Sequence, residues 1–342
     1  MSHLRSPEEF SIHFWTPIAV PCGIEAWLPD DAPALYSDGR GHAFYELYAR
    51  LRLAGLAVTI GRRVAAGTNT VVVFAKDLSM RDSLSFVISA GHVPSLLIES
   101  DWSPSFKIPI RAAVVVRSSA ELASGATDVS LPLLPQRGLI PRAEGRRGAA
   151  STVGYKGDSL QAPQFLSSPS FAAKLHGLGL RFNEADLGFG KDSWHDFSST
   201  DIVVCMRDPA LPTAHKPPTK LINAWAAHCI PLVGPEPAYL ALVTDHKDGL
   251  VVKDEESVLH ALRELLASPT LLQELETGVA GKAHEFSRDR ILQGWVEALA
   301  LASASRRRPR LLAIWPALLH WTQAQVANLY RRSMRKVRSR PQ

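Results

Sequence analysis

Lys216-Pro217-Pro218-Thr219-Lys220-Leu221-Ile222-Asn223-Ala224-Trp225 lies between two apolar runs, residues 201–206 and 231–234. The runs are short, continuous and bounded by polar or glycine residues, the pattern of strands buried on both faces of a parallel sheet. Between them Leu221, Ala224, Trp225 and His228 recur at helical spacing. Pro217 and Pro218 stand at the helix start, where a missing N–H costs little. The unit is strand–helix–strand, and it sets the α/β class.

The same alternation extends in both directions. Towards the C-terminus, residues 249–252 read as a last strand. Helices follow over 255–267, 270–277 and 289–301, the first with Val258, Leu259, Leu262 and Leu266 on one face. Towards the N-terminus, 150–155 reads as a strand, 171–178 as a helix and 180–183 as a short strand. Before that lies a stretch rich in proline, glycine and arginine, 132–148, which marks a domain boundary. The first part of the chain repeats the pattern, with strands at 10–15, 56–60, 70–74, 95–99 and 112–116 and helices at 42–54 and 81–90. A chain of 342 residues has room for two such domains. The divisions are 8–138, 139–302 and a tail, 303–342.

The helix start carries the first functional signal. Lys216 and Lys220 sit at the positive end of a helix dipole, which disfavours each cation by about 0.3–1 kcal/mol. Residues 209–235 contain no Asp or Glu to compensate. Two solvated surface lysines would account for this, and so would an anionic ligand. Backbone N–H groups at a helix start hold phosphate, with Thr219 and Lys220 as the available donors here. The helix follows a strand, so its start falls at the carboxyl edge of the sheet, where open α/β sheets bind ligands. The next strand runs into Gly234-Pro235-Glu236, which brings Glu236 to the same edge. A carboxylate there can accept from ribose hydroxyls or serve as an ordinary loop charge.

These residues resemble a known family. The run Lys216 to Val252 is similar to the second domain of glycosyltransferases of the GT-B fold, in the group that reads Lys-Pro-x-Thr-Lys-Leu-x-Asn-Ala-Trp and then Gly-Pro-Glu. Pro135-Gln136-Arg137-Gly138-Leu139-Ile140-Pro141-Arg142, Gly154-Tyr155-Lys156-Gly157 and the last helix with Trp295 look like the same group. The resemblance covers residues 135–299. It implies two Rossmann-like domains facing across a cleft, with a nucleotide-diphosphate sugar held by the second and a glycan or lipid-linked acceptor by the first. Lys156, Lys216, Thr219, Lys220, Asn223 and Glu236 would then form the donor site. The donor enters as substrate, with no cofactor and no metal. Many retaining enzymes of this fold carry two glutamates separated by seven residues at this helix. The positions here are His215 and Asn223. His228 stands where the group has a glycine that stops the helix.

A general base would come from the first domain. Asp77, Glu99 and Asp101 follow predicted strands there, with helix capping or solvation as the competing roles. His13 and His92 read as structural. Residues 61–67 do not spell a dinucleotide fingerprint, and Gly188 and Gly190 hold only its first half.

Composition limits the remaining classes. Cys22, Cys205 and Cys229 form no close pair, which argues against a disulfide scaffold or a zinc knuckle. The N-terminus shows no secretory signal, and no apolar run is long enough to span a membrane. The net charge of +5 is uneven. Residues 306–340 hold ten Lys or Arg and no acidic residue, so the rest of the chain carries +5 less ten, or −5. Leu311, Leu312, Ile314, Trp315, Leu318 and Trp321 precede the basic end. That tail suits an anionic membrane surface, or a helix packed on the body with a solvated basic end. No basic stripe with interleaved aromatics points to nucleic acid. The expectation is a cytoplasmic glycosyltransferase, peripheral to the inner membrane face if the tail binds lipid. A non-catalytic binding subunit of the same fold and a nucleotide-sugar epimerase stay open beside it.

Overall fold

Eleven strands form two all-parallel sheets in a computed structural model that describes residues 11–26, 40–64, 66–77, 86, 95–99, 112–118, 128–183 and 194–304. The first sheet has the order β2-β1-β3-β4-β5-β6, from Ser11–Trp15 (β1), Ala57–Gly61 (β2), Thr70–Phe74 (β3), Leu96–Glu99 (β4), Val114–Arg117 (β5) and Asp128–Ser130 (β6). The second has the order β11-β10-β9-β7-β8, from Thr152–Gly154 (β7), Arg181–Phe182 (β8), Ile202–Cys205 (β9), Ile230–Val233 (β10) and Leu250–Val251 (β11). Each sheet reverses its winding once, between β1 and β3 and between β7 and β9. Such switch points leave a crevice outside the carboxyl ends of the strands.

Side chains alternate across each strand, and both faces are buried. In the first sheet Phe14, Val72, Phe74, Leu96 and Ile98 enter one core, while Trp15, Val71, Val73 and Leu97 enter another with Phe86. In the second, Val203, Cys205 and Val233 face one way and Ile202, Val204, Ile230 and Leu232 the other. This is why the strands read as unbroken apolar runs. His13 belongs to the sheet. Its Nε2 donates to the Gly61 carbonyl at 3.0 Å, its Nδ1 lies 2.8 Å from Thr59 Oγ1, and burial lowers its pKa.

The helices are α1 (Glu46–Leu53), α2 (Pro169–Gly177), α3 (Thr219–Ala226), α4 (Pro237–Leu240), α5 (Glu255–Ala267), α6 (Pro269–Glu285) and α7 (Arg288–Ala304). A π-type turn, Gly41–Tyr45, leads into α1. Helix α6 runs past the end predicted at 277. Its Gly278 meets the Lys247 carbonyl, and a Cβ there would overlap that oxygen. Helix α3 ends in a Schellman motif: His228 N donates to Trp225 O and Cys229 N to Ala224 O, both at 2.9 Å, with His228 at φ +57°.

The sequence division keeps α7 with the second domain, yet it packs on β3, β4, β5 and α1 of the first. Trp295 is buried, and its Nε1 donates to the Pro132 carbonyl at 3.3 Å. The junction before β7 is tied to the second sheet through Asp201. That carboxylate takes Arg142 Nε at 3.0 Å, Arg146 Nη2 at 2.7 Å and the N–H groups of Ser151 and Thr152 at 2.9 Å each. Among the described residues no helix is long and apolar enough to cross a membrane. The predicted tail, His92, Asp101, Gly188 and Gly190 lie outside the described residues.

Candidate active site at the carboxyl edge of the second sheet

Three strand ends and one helix start converge at the second switch point. After β7 the chain passes Tyr155, Lys156 and Gly157. After β9 it passes Met206 and Arg207, and after β10 Gly234 and Glu236. Thr219 and Lys220 open α3 beside them. The strands are parallel and in register, Val153 with Ile202 and Ile230 with Ile202, so the residues that follow them arrive at one level.

Arg207 anchors the cluster. Its side chain is buried, its backbone N–H donates to Glu236 Oε1 at 2.8 Å, and its Nη1 donates to Tyr239 Oη at 2.9 Å. The guanidinium also lies 3.6 Å from Glu236 Oε1. Glu236 is itself buried. Its Oε2 has no hydrogen-bond partner and lies where a Cβ at Gly234 would fall. Burial raises the Glu236 pKa, and Arg207 opposes the rise.

Lys220 is the outstanding group. Its stem is half-buried, but solvent does not reach its Nζ, which has no hydrogen-bond partner. The amine sits 3.6 Å from the centroid of the Tyr155 ring. It also fills the space that a Cβ at Gly157 would need. Burial drives its pKa well below the ordinary lysine value, and neighbouring Arg207 pushes it further down. No acidic residue stands in the first turn of α3. Cys205, which ends β9, is buried, and burial pushes its thiol up to about 12, which keeps it in the neutral form.

The other predicted donor residues fall around this centre. Thr219 is the first residue of α3, half-buried, behind the buried Pro217 and Pro218. Lys216 is half-buried in the approach to the helix, its N–H bonded to the Thr213 carbonyl. Lys156 is buried and turned to Phe197, 5.4 Å from the ring centroid. Asn223 is engaged with the junction. Its Oδ1 accepts from Gln136 N at 2.8 Å and its Nδ2 donates to Gln136 Oε1 at 3.2 Å.

In the first domain, Asp77 follows β3 at the other switch point. Its carboxylate is buried, accepts from Thr16 Oγ1 at 3.1 Å and is ion-paired with Arg40. Glu99 is ion-paired with Arg117, which also holds Asp128 at 2.9 Å. His42, mostly covered, lies 3.6 Å from Glu46, and burial of its ring lowers its pKa to about 4. Sequence reasoning missed Arg207, Tyr239 and Gln136. Arg207 had a readable signal, since it directly follows a predicted strand whose carboxyl edge was already the expected site. A separate groove of about 860 Å³, between Thr244 and Asp248 on one side and α6 on the other, contains none of these residues.

No protein-family model and no curated protein matches the chain. Solved structures do. HepE (Alr3699) of Anabaena in complex with UDP superposes with a TM-score of 0.52 at 12% identity, over 85% of this chain and 100% of that one. Sucrose-phosphate synthase of Thermosynechococcus elongatus gives a TM-score of 0.53 at 12% identity, over 84% and 98%. WaaG, a glycosyltransferase involved in lipopolysaccharide biosynthesis, gives 0.51 at 11% identity, over 84% and 99%. At these identities the likeness is one of architecture, and the architecture of this chain is the GT-B fold of two Rossmann-like domains.

Proposed function

We propose that this chain is a glycosyltransferase that moves a sugar from a nucleotide diphosphate to an acceptor hydroxyl, with the donor bound at the carboxyl edge of the second sheet. The observation that carries the reading is the buried amine of Lys220, without a hydrogen-bond partner, beside the guanidinium of Arg207 and bonded to neither nearby carboxylate, Glu236 or Asp158. A diphosphate supplies the acceptor oxygens that the amine lacks. In the reaction, the bond from the anomeric carbon to the diphosphate oxygen breaks, a bond to the acceptor oxygen forms, and the acceptor hydroxyl's proton passes to the leaving diphosphate. Lys220, Arg207 and the N–H groups at the start of α3 stabilise the charge that builds on the leaving diphosphate. Glu236 Oε2, buried and without a hydrogen-bond partner, would accept from a ribose or sugar hydroxyl. Thr219 and Lys216 line the approach. Asp77 and Asn223 act as positioning residues through Arg40 and Gln136. HepE, which shares the fold, has been crystallised with UDP-glucose, and this makes uridine nucleotides the first donors to try.

The test is release of nucleoside diphosphate from a panel of nucleotide sugars. Lys220→Ala is expected to lower kcat/KM by a factor of about 100–1,000, the range for loss of one charge-stabilising group. Full activity in that variant would remove the site from the chemistry. The second reading, a binding subunit without turnover, is favoured by Asn223, which occupies a glutamate position of active relatives and is spent on Gln136. Nucleotide binding with no release of diphosphate would select it. The acceptor, a glycan or lipid-linked saccharide, and a membrane-bound basic tail complete the proposal. Co-sedimentation with anionic but not neutral vesicles is the expected behaviour of the full chain.

A further inference from the structure

The surroundings of Lys220 bear on how the site takes its ligand, and the inference rests on the diphosphate reading just given. The Nζ is enclosed by Tyr155 and Gly157 from the loop after β7, with Asp158 further along the same loop. Cys205 at the end of β9, Arg207 just after it and Glu236 from beyond β10 act on it electrostatically, with Tyr239 hydrogen-bonded to Arg207. Among the described residues neither carboxylate forms an ion pair or hydrogen bond with Lys220. Asp158 caps a short turn through Leu160 N at 3.0 Å, and Glu236 Oε1 is committed to Arg207. The two tyrosines and the thiol stay neutral, because burial raises all three. Among the charges acting on the amine the like charge of Arg207 is therefore the strongest, ahead of the opposing carboxylates Glu236 and Asp158.

An ammonium in this place loses its hydration and has in return one aromatic face and the weaker pull of Glu236 and Asp158, neither within hydrogen-bond reach; burial is the larger effect. A neutral amine has no such penalty. An arriving diphosphate reverses the balance. It supplies acceptor oxygens and negative charge at hydrogen-bond range and makes the ammonium the stable form.

We propose that the Lys220 amine is uncharged in the unliganded protein and takes one proton from solvent as the diphosphate of a nucleotide sugar enters, so that donor capture is coupled to proton uptake. The proton balance is simple. The diphosphate of a nucleotide sugar is a diester with no titratable proton near neutrality, so the proton that joins the amine comes from the buffer. Release of the departing nucleotide then returns it. Affinity for the donor must fall with rising pH, by up to about tenfold per unit once the free amine is neutral.

Isothermal titration in buffers of different ionisation enthalpy at fixed pH measures this directly. The probes are UDP-glucose, ADP-glucose, GDP-mannose and dTDP-glucose on the full chain. The expected result is uptake of about one proton per bound nucleotide sugar. Lys220→Arg, which keeps a permanent charge, is expected to bind without uptake. Lys220→Met is expected to bind more weakly, also without uptake. Glu236→Gln is expected to retain the uptake. Binding to the wild type with no proton taken up would overturn the proposal and leave the donor site standing. Uptake that persists in Lys220→Met or Lys220→Arg, or vanishes in Glu236→Gln alone, would assign the proton to Glu236 and overturn it as well. If none of the four probes binds, the donor site and the proton coupling fall together.

Discussion

His228 holds a left-handed backbone conformation at φ +57°, where the motif needs a residue without a Cβ clash. That conformation costs a non-glycine residue roughly 1–2 kcal/mol, against which glycine loses part of its gain to chain entropy. His228→Gly is therefore expected to stabilise the protein by about 0.5–1 kcal/mol, seen as a higher urea midpoint with unchanged slope. A lower midpoint would mean that the half-buried imidazole contributes packing worth more than the strain. At this scale the sequence was informative about sign and silent about partners. Lys220 could be singled out because a cation at a helix start is misplaced. Asn223 could not be understood, because its partner Gln136 is 87 residues away and nothing local pairs them.

At the scale of elements, Asp201 at the start of β9 binds the junction to the second sheet. Burial alone would raise its pKa. Hydrogen bonds from Arg146 and the Ser151 N–H, with the charges of Arg142 and Arg146, outweigh that and lower it. A carboxylate lowered on folding stabilises the protein above its unfolded pKa of about 3.9, and the contribution is lost as pH falls through the lower folded value. Asp201→Asn is expected to cost about 3–5 kcal/mol near neutrality, as for a broken buried pair, and the gap to wild type should narrow as pH falls below the unfolded value. Urea midpoints across that range check it, and a gap independent of pH would refute the charge argument. Strands in this protein were readable where they are buried on both faces, as in Thr70–Phe74. Asp128–Ser130 was not, since a three-residue edge strand carries no apolar run. Helix α6 was cut short at Gly278, because low helical propensity is visible in a sequence and the close carbonyl of Lys247 is not.

At the scale of the molecule, α7 follows the second sheet in the chain yet packs on β3, β4, β5 and α1 of the first. Trp295 is the largest side chain that α7 buries. Trp295→Ala is expected to lower stability by about 3–5 kcal/mol, the usual effect of emptying a buried tryptophan site. It should do so through the first domain, whose β3, β4 and β5 lie against α7. Hydrogen exchange that rises first in Val72, Phe74 and Ile98 would agree, and exchange confined to the second sheet would not. The two strand–helix series that form the two sheets were legible in the alternation of short apolar runs and helical patterns. The return of the last helix to the first domain was not, because an apolar helix face does not say which sheet it covers.

That return has a consequence during synthesis. The last strand of the first sheet ends at Ser130, and α7 begins at Arg288, roughly 160 residues later. At about 5–20 residues per second, the ribosome needs on the order of ten to thirty seconds to deliver the cover for that face. Through this interval the apolar face bearing Phe14, Phe74 and Ile98 awaits the residues that complete its core. The first sheet is thus made well before the helix that completes its core, and that face stays uncovered until α7 emerges.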